Sequence, residues 1–111
     1  MGKHKKKHII VEKLVRDKIP DMIKDAGGDG EYYHYPEADM ENLLLNKMGE
    51  ELGEFLQTKD ISKLADVYEV FLELLKFRNT TLNDIEKIRL QKLKEKGGFN
   101  TRVFLLKVEE K

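Results

Sequence analysis

The stretch Glu50-Glu51-Leu52-Gly53-Glu54-Phe55-Leu56-Gln57-Thr58-Lys59-Asp60-Ile61-Ser62-Lys63-Leu64-Ala65-Asp66 holds the decisive pattern of this chain. Leading into it, Met40, Leu44, Met48, Leu52 and Phe55 recur at three- and four-residue steps, the spacing of one apolar helix face from about Pro36 to Gln57. Beyond it, Ile61, Leu64, Ala65, Tyr68, Phe71, Leu72 and Leu75 repeat the pattern, with Asp60 placed to cap. Only Thr58 and Lys59 intervene, so the two helices must fold back on each other as an antiparallel hairpin.

Working outward, Thr81 and Asp84 form a capping pair for a further helix with Leu82, Ile85, Ile88 and Leu93 as its stripe and Gly97-Gly98 as its stop. On the other side, Pro20 suits the first turn of a short helix running to about Ala26. The aromatic run Tyr32, Tyr33, His34, Tyr35 favours an extended segment, and Val103-Phe104-Leu105-Leu106 a strand. The expected fold is mainly α: an antiparallel helix hairpin in a bundle of about four helices, with a small terminal β-ribbon. Residues 1–12 are expected to form a basic flexible tail and residues 13–111 a single helical domain.

The composition agrees. A chain of 111 residues supports one core. Charged residues reach 38%, apolar residues 40%, as expected for long helices with wet outer faces. Lys plus Arg and Asp plus Glu both number 21, a zero net charge that weighs against a protein built to coat nucleic acid. The absence of cysteine excludes disulfides, thiolate metal sites and a cysteine nucleophile, and fits a cytoplasmic setting. No apolar run approaches the roughly 18 residues needed to span a bilayer, and Ile9-Ile10-Val11 is too short for a signal-peptide core.

The hairpin is rich in acids: Glu50, Glu51 and Glu54 before the turn, Asp66, Glu69 and Glu73 after it. At ~100° per residue, Glu51 and Glu54 project within about 60° of each other, as do Asp66 and Glu69. Both groups flank the apolar faces, so packing the hairpin brings two acidic rows together. Like charges at that range repel, and a hard cation with oxygen ligands, Mg²⁺ or Mn²⁺, relieves them. The plainer reading is a solvated acidic face, for which Lys47 is the main intrahelical counter-ion.

Glu50-Glu51-Leu52-Gly53-Glu54 followed by Leu64-Ala65-Asp66 resembles the EExxE…ExxD signature of the all-α nucleoside triphosphate pyrophosphohydrolases, the superfamily of MazG and phosphoribosyl-ATP pyrophosphohydrolase. Lys13-Leu14-Val15-Arg16-Asp17-Lys18-Ile19-Pro20 and Lys96-Gly97-Gly98-Phe99 look like the two end motifs of a small branch labelled phosphoribosyl-ATP pyrophosphohydrolase-like. The resemblance covers about Lys13 to Val108. It implies Mg²⁺-dependent hydrolysis of a nucleotide between its α- and β-phosphates, with Glu51, Glu54 and Asp66 as metal ligands and Glu50 orienting or deprotonating the attacking water. It also suggests dimers or tetramers.

The chain departs from that pattern at Lys63, which stands where the first acid of ExxD is expected. A lysine there competes with the metal or contacts phosphate directly, and Glu69 is the candidate to replace the missing carboxylate. Arg16 and Lys18 are candidate phosphate contacts, with Asp17 fixing Arg16. Lys92 and Lys96 stand out in a cationic run that also suits a helix C-terminus. The tyrosines either stack on a base or form core and rim.

Three function classes follow: a nucleotide pyrophosphohydrolase, a catalytically weakened nucleotide-binding or regulatory module, and a helical interaction module whose basic tail contacts RNA. Leu43, Leu45 and Val70 fall off the hairpin face, and covering them calls for a homo-oligomer.

Overall fold

The computed structural model describes residues 8–110, so most of the expected basic tail lies outside the described residues. Its elements are α1 (Ile19–Asp25), a single 3-10 turn (Glu37–Asp39), α2 (Met40–Thr58), α3 (Ser62–Phe77) and α4 (Leu82–Lys96).

The hairpin turn is built as its residues dictate. Lys59 closes α2 in the left-handed region at φ 57°, and its N–H donates to the Phe55 carbonyl at 2.8 Å. The Thr58 hydroxyl donates to the Glu54 carbonyl at 2.9 Å and accepts from the Asp60 N–H at 3.1 Å. The Asp60 carboxylate accepts from the Ser62 N–H at 2.9 Å, satisfying a first-turn donor of α3. In α4 the expected capping box is present: Asp84 N–H donates to the Thr81 hydroxyl at 3.1 Å, and Thr81 N–H to the Asp84 carboxylate at 3.0 Å. Gly97 ends α4 at φ 79°, a conformation that favours glycine.

The extensive packing is α2 against α3, with the 3-10 turn laid against α2. Leu44, Val70 and Leu75 are the buried apolar residues, joined by one buried charge, Glu51. On α2 the shielded side runs through Met40, Leu44, Lys47, Met48, Glu51, Glu54 and Phe55, close to the expected stripe, but Leu52 is exposed. On α3 the second half of the expected stripe holds, with Leu75 buried and Phe71 and Leu72 partly shielded, but its first half is displaced. Val67, Val70, Phe71 and Leu74 lose solvent together with Lys63 and Asp66, whereas Ile61, Leu64 and Tyr68 remain exposed. Val70, expected to be uncovered, is therefore core. The same seam places Lys63 and Asp66 beside the acids of α2.

The terminal β-ribbon does not form among the described residues: neither 32–35 nor 103–106 is a strand. An isolated two-stranded ribbon is marginal in water without a third strand or an apolar surface beneath it. Neither segment has one, since Tyr33, Val103, Phe104 and Leu106 are all mostly exposed. Tyr33 and Tyr35 instead pack edge to face, with ring centroids 4.7 Å apart.

Candidate functional site

An extended segment, Lys13 to Arg16, lies over the hairpin and carries one cation to each helix. Lys13 Nζ bonds Glu50 Oε1 of α2 at 3.2 Å, and Arg16 Nη2 bonds Asp66 Oδ1 of α3 at 2.7 Å. Asp17 was expected to hold Arg16; Asp66 takes that place. Within α2, Lys47 Nζ reaches Glu50 Oε1 and Glu51 Oε1, both at 3.3 Å. Across the seam, Lys63 Nζ sits 2.8 Å from Glu54 Oε2 and 3.9 Å from Asp66 Oδ2. The structure thus gathers Arg16, Glu50, Glu51, Glu54, Lys63 and Asp66 at one patch of the hairpin, and adds Lys13 and Lys47.

Electrostatics there are mutual. The Lys63 ammonium, hydrogen-bonded to Glu54, holds that carboxyl below its ordinary range. Glu54 in turn raises Lys63, and Glu51 and Asp66 add to the pull. Glu51 is the deepest member: its side chain is 9% exposed, and its Oε2 is buried with no hydrogen-bond partner. An unpaired buried carboxylate oxygen is costly, and it is an acceptor awaiting a donor or a cation.

Four expected site residues stand apart. Glu69 is exposed and takes part in no ion pair with the cations of the patch among the described residues. Lys18 is exposed at the start of α1. Lys92 and Lys96 are exposed on α4, which packs extensively against no other element among the described residues. His34 and the tyrosines form no wall of the patch; Tyr32 instead lines a surface concavity of about 340 Å³ with Pro20, Asp21 and Lys24. A second, of about 150 Å³, is bounded by Glu37, Glu73, Lys76 and Phe77, so neither takes in Glu50, Glu51, Glu54 or Asp66.

Among the described residues no three acidic or imidazole side chains form a ready-made metal shell. The oxygens present are hard carboxylate donors, one of them buried and unpaired, and the cation between Glu54 and Asp66 is Lys63. Sequence reasoning missed Lys13, whose signal was its place three residues before Arg16 in a single extended run. No family model, curated protein or solved structure matches this chain. No helix among the described residues is long and apolar enough to cross a membrane.

Proposed function

We propose that this chain is a Mg²⁺-dependent nucleotide pyrophosphohydrolase, cleaving a nucleoside triphosphate between its α- and β-phosphates to give a monophosphate and pyrophosphate. The observation that carries the reading is the meeting of Glu51, Glu54 and Asp66 at one seam, with a buried, unpartnered Glu51 oxygen among them. Those three residues would hold the cation, which when bound eases ionisation of water and offsets phosphate charge.

The chain's own groups supply the rest. Arg16 and Lys63, turned from carboxylate to phosphate oxygens, bind and orient the polyphosphate. Glu50 accepts a proton from the water that attacks the α-phosphorus, and the bond from that phosphorus to the bridging oxygen breaks. Pyrophosphate carries away the electron pair. Lys13 and Lys47 hold Glu50 in place. The test is pyrophosphate release across a panel of triphosphates with Mg²⁺ and Mn²⁺. Release by the unaltered chain but not by Glu54→Gln supports the assignment.

Lys63 favours a second reading, a catalytically weakened nucleotide-binding module, because its ammonium already occupies the space between Glu54 and Asp66. Nucleotide-dependent thermal stabilisation without turnover distinguishes it.

The acting unit in either reading is a homo-oligomer. Leu45, Leu52 and Leu56 form an exposed stripe on α2, and Ile61, Leu64 and Tyr68 another on α3. Gly49 and Gly53 lie along the α2 stripe, where a Cβ would meet nothing. Mid-helix glycines cost about 0.5–1 kcal/mol each relative to alanine, and nothing within the chain requires these two. A second copy packing there gives them a use.

A further inference from the structure

The hairpin has two unlike sides. The segment from Lys13 to Arg16 lies over one of them, paired with Glu50 and Asp66. At ~100° per residue, Leu45, Leu52 and Leu56 of α2 and Ile61, Leu64 and Tyr68 of α3 fall on the other flank of the seam. Because the helices run antiparallel, the two stripes face the same way and form one apolar side, all six residues exposed.

The corner after α3 keeps this side bare. Asn79 N–H donates to the Lys76 carbonyl at 3.3 Å and Thr80 N–H to the Leu75 carbonyl at 3.0 Å, with Asn79 left-handed at φ 50°. The Thr81–Asp84 capping box then starts α4 at once. Hydrogen-bonded on both sides, the corner sends α4 off the hairpin, against which it packs nowhere extensively. α4 and the segment behind it carry uncovered apolar groups of their own, among them Leu82, Leu93, Phe99, Phe104 and Leu106.

Area and charge say what belongs there. The chain exposes 11014 Å², where a compact monomer of 13.0 kDa exposes about 6,300 Å². Its radius of gyration is 20.5 Å, against about 13 Å for a compact chain of this length. Covering half of the surplus area on each of two copies buries about 4,700 Å², within the ~2,000–5,000 Å² of obligate homodimers. Between Met40 and Phe77 lie eight acids and four cations, and between Leu82 and Arg102 six cations and three acids, so the two surfaces attract. α4, at 15 residues, also matches the 16 residues of α3 in length.

We infer that α4 and the segment through Val108 form an arm that lies along the apolar side of a second copy's hairpin, with the exchange returned about a two-fold axis. This builds on the homo-oligomer proposed above by naming the surfaces that meet, and it needs no catalytic or metal role for any residue.

Light scattering at micromolar concentration tests it on the unaltered chain, a hairpin variant, Leu52→Glu, and an arm variant, Leu93→Glu with Phe104→Glu. The altered residues are exposed within the chain, and circular dichroism on each sample establishes that the helices are intact. The unaltered chain should show at least twice the chain mass. Each variant should fall to the single-chain mass, its Kd for association raised by about 30-fold or more, the scale of one lost anchor residue. An equal mixture of the two variants, at raised concentration, should regain the double mass, because the intact arm of Leu52→Glu meets the intact hairpin of its partner. An arm variant that keeps the full assembly overturns the exchange and leaves the homo-oligomer standing. So does a mixture that stays at single-chain mass. An unaltered chain of single-chain mass overturns both.

Discussion

Lys63 on α3 reaches across the hairpin seam to Glu54 on α2, Nζ to Oε2, at 2.8 Å, while staying within 3.9 Å of Asp66 on its own helix. One ammonium thus ties together the two helices and two of the three acids proposed to hold the cation. About a third of each side chain is exposed, so water screens the pair and its share in stability is small. Its importance lies in what it occupies.

Glu54→Gln separates the two roles. The amide keeps the size and one acceptor oxygen but loses the charge. The melting temperature should stay within about 2 °C of the unaltered chain, as for other exposed ion pairs. Mg²⁺-dependent pyrophosphate release should fall by about 100-fold or more, the scale at which loss of one charge-stabilising group is felt. Undiminished release by Glu54→Gln takes this residue out of the site.

The hairpin, its turn and the α4 caps were legible because they depend on neighbours in sequence: three-to-four spacing, a two-residue gap before Asp60, and a Thr81–Asp84 pair closed by Gly97. The acidic seam was legible in outline for the same reason. The rotation of α3 was not, because periodicity weighs only apolar content. Ile61, Leu64 and Tyr68 outweigh Val67 and Val70 on that count, although the two valines are the shielded ones. Likewise Arg16 turned to Asp66, fifty positions away in sequence, rather than to adjacent Asp17. Long-range ion pairs leave no local pattern.

Burying Glu51 works against folding. Its side chain is 9% exposed, it shares Lys47 with Glu50, and one oxygen has no partner. Replacing a buried charge by an apolar side chain of similar length is often neutral or stabilising. Glu51→Met should raise stability by about 1 kcal/mol, since Lys47 keeps Glu50 as its partner. For a chain of this size that is a rise of several degrees in melting temperature, while pyrophosphate release is lost. Such a trade between stability and activity is the mark of an acid kept for chemistry. A marked loss of stability in Glu51→Met would instead make the carboxylate structural.

Acid should unwind α4 before the hairpin. Hydrogen bonds from the Thr81 backbone and side chain hold the Asp84 carboxyl below its ordinary value of 3.8. A depressed folded-state value means that the contribution is fully present above that ordinary value and disappears as pH falls through the lowered one. α4 has little tertiary packing to compensate, and an isolated helix of 15 residues is marginal in water. Ellipticity at 222 nm should therefore show an early acid loss. Asp84→Asn, whose amide oxygen still accepts from Thr81, should flatten that limb, and Thr81→Ala should weaken the helix at every pH by about 1 kcal/mol. An acid limb unchanged in Asp84→Asn would assign the loss to other carboxylates.

Assembly is the prediction with the widest reach. Leu45, Leu52 and Leu56 on α2 are 52%, 42% and 66% exposed, and Phe99, Val103, Phe104 and Leu106 are more exposed still. That much apolar surface on a 13.0 kDa chain is a liability unless a second copy covers it. Light scattering at micromolar concentration should give at least twice the chain mass. Leu52→Glu puts a charge in the middle of the α2 stripe and should return the particle to the single-chain mass. Gly49→Leu should do the same by bulk: a Cβ there meets nothing within the chain, so any loss of assembly reports the neighbouring copy. Because Glu51 and Glu54 lie on the same helix as that stripe, a dissociated Leu52→Glu chain that still releases pyrophosphate would show that one hairpin carries a whole site. Loss of turnover together with loss of assembly would assign part of the site to the partner. A single-chain mass for the unaltered protein refutes the assembly.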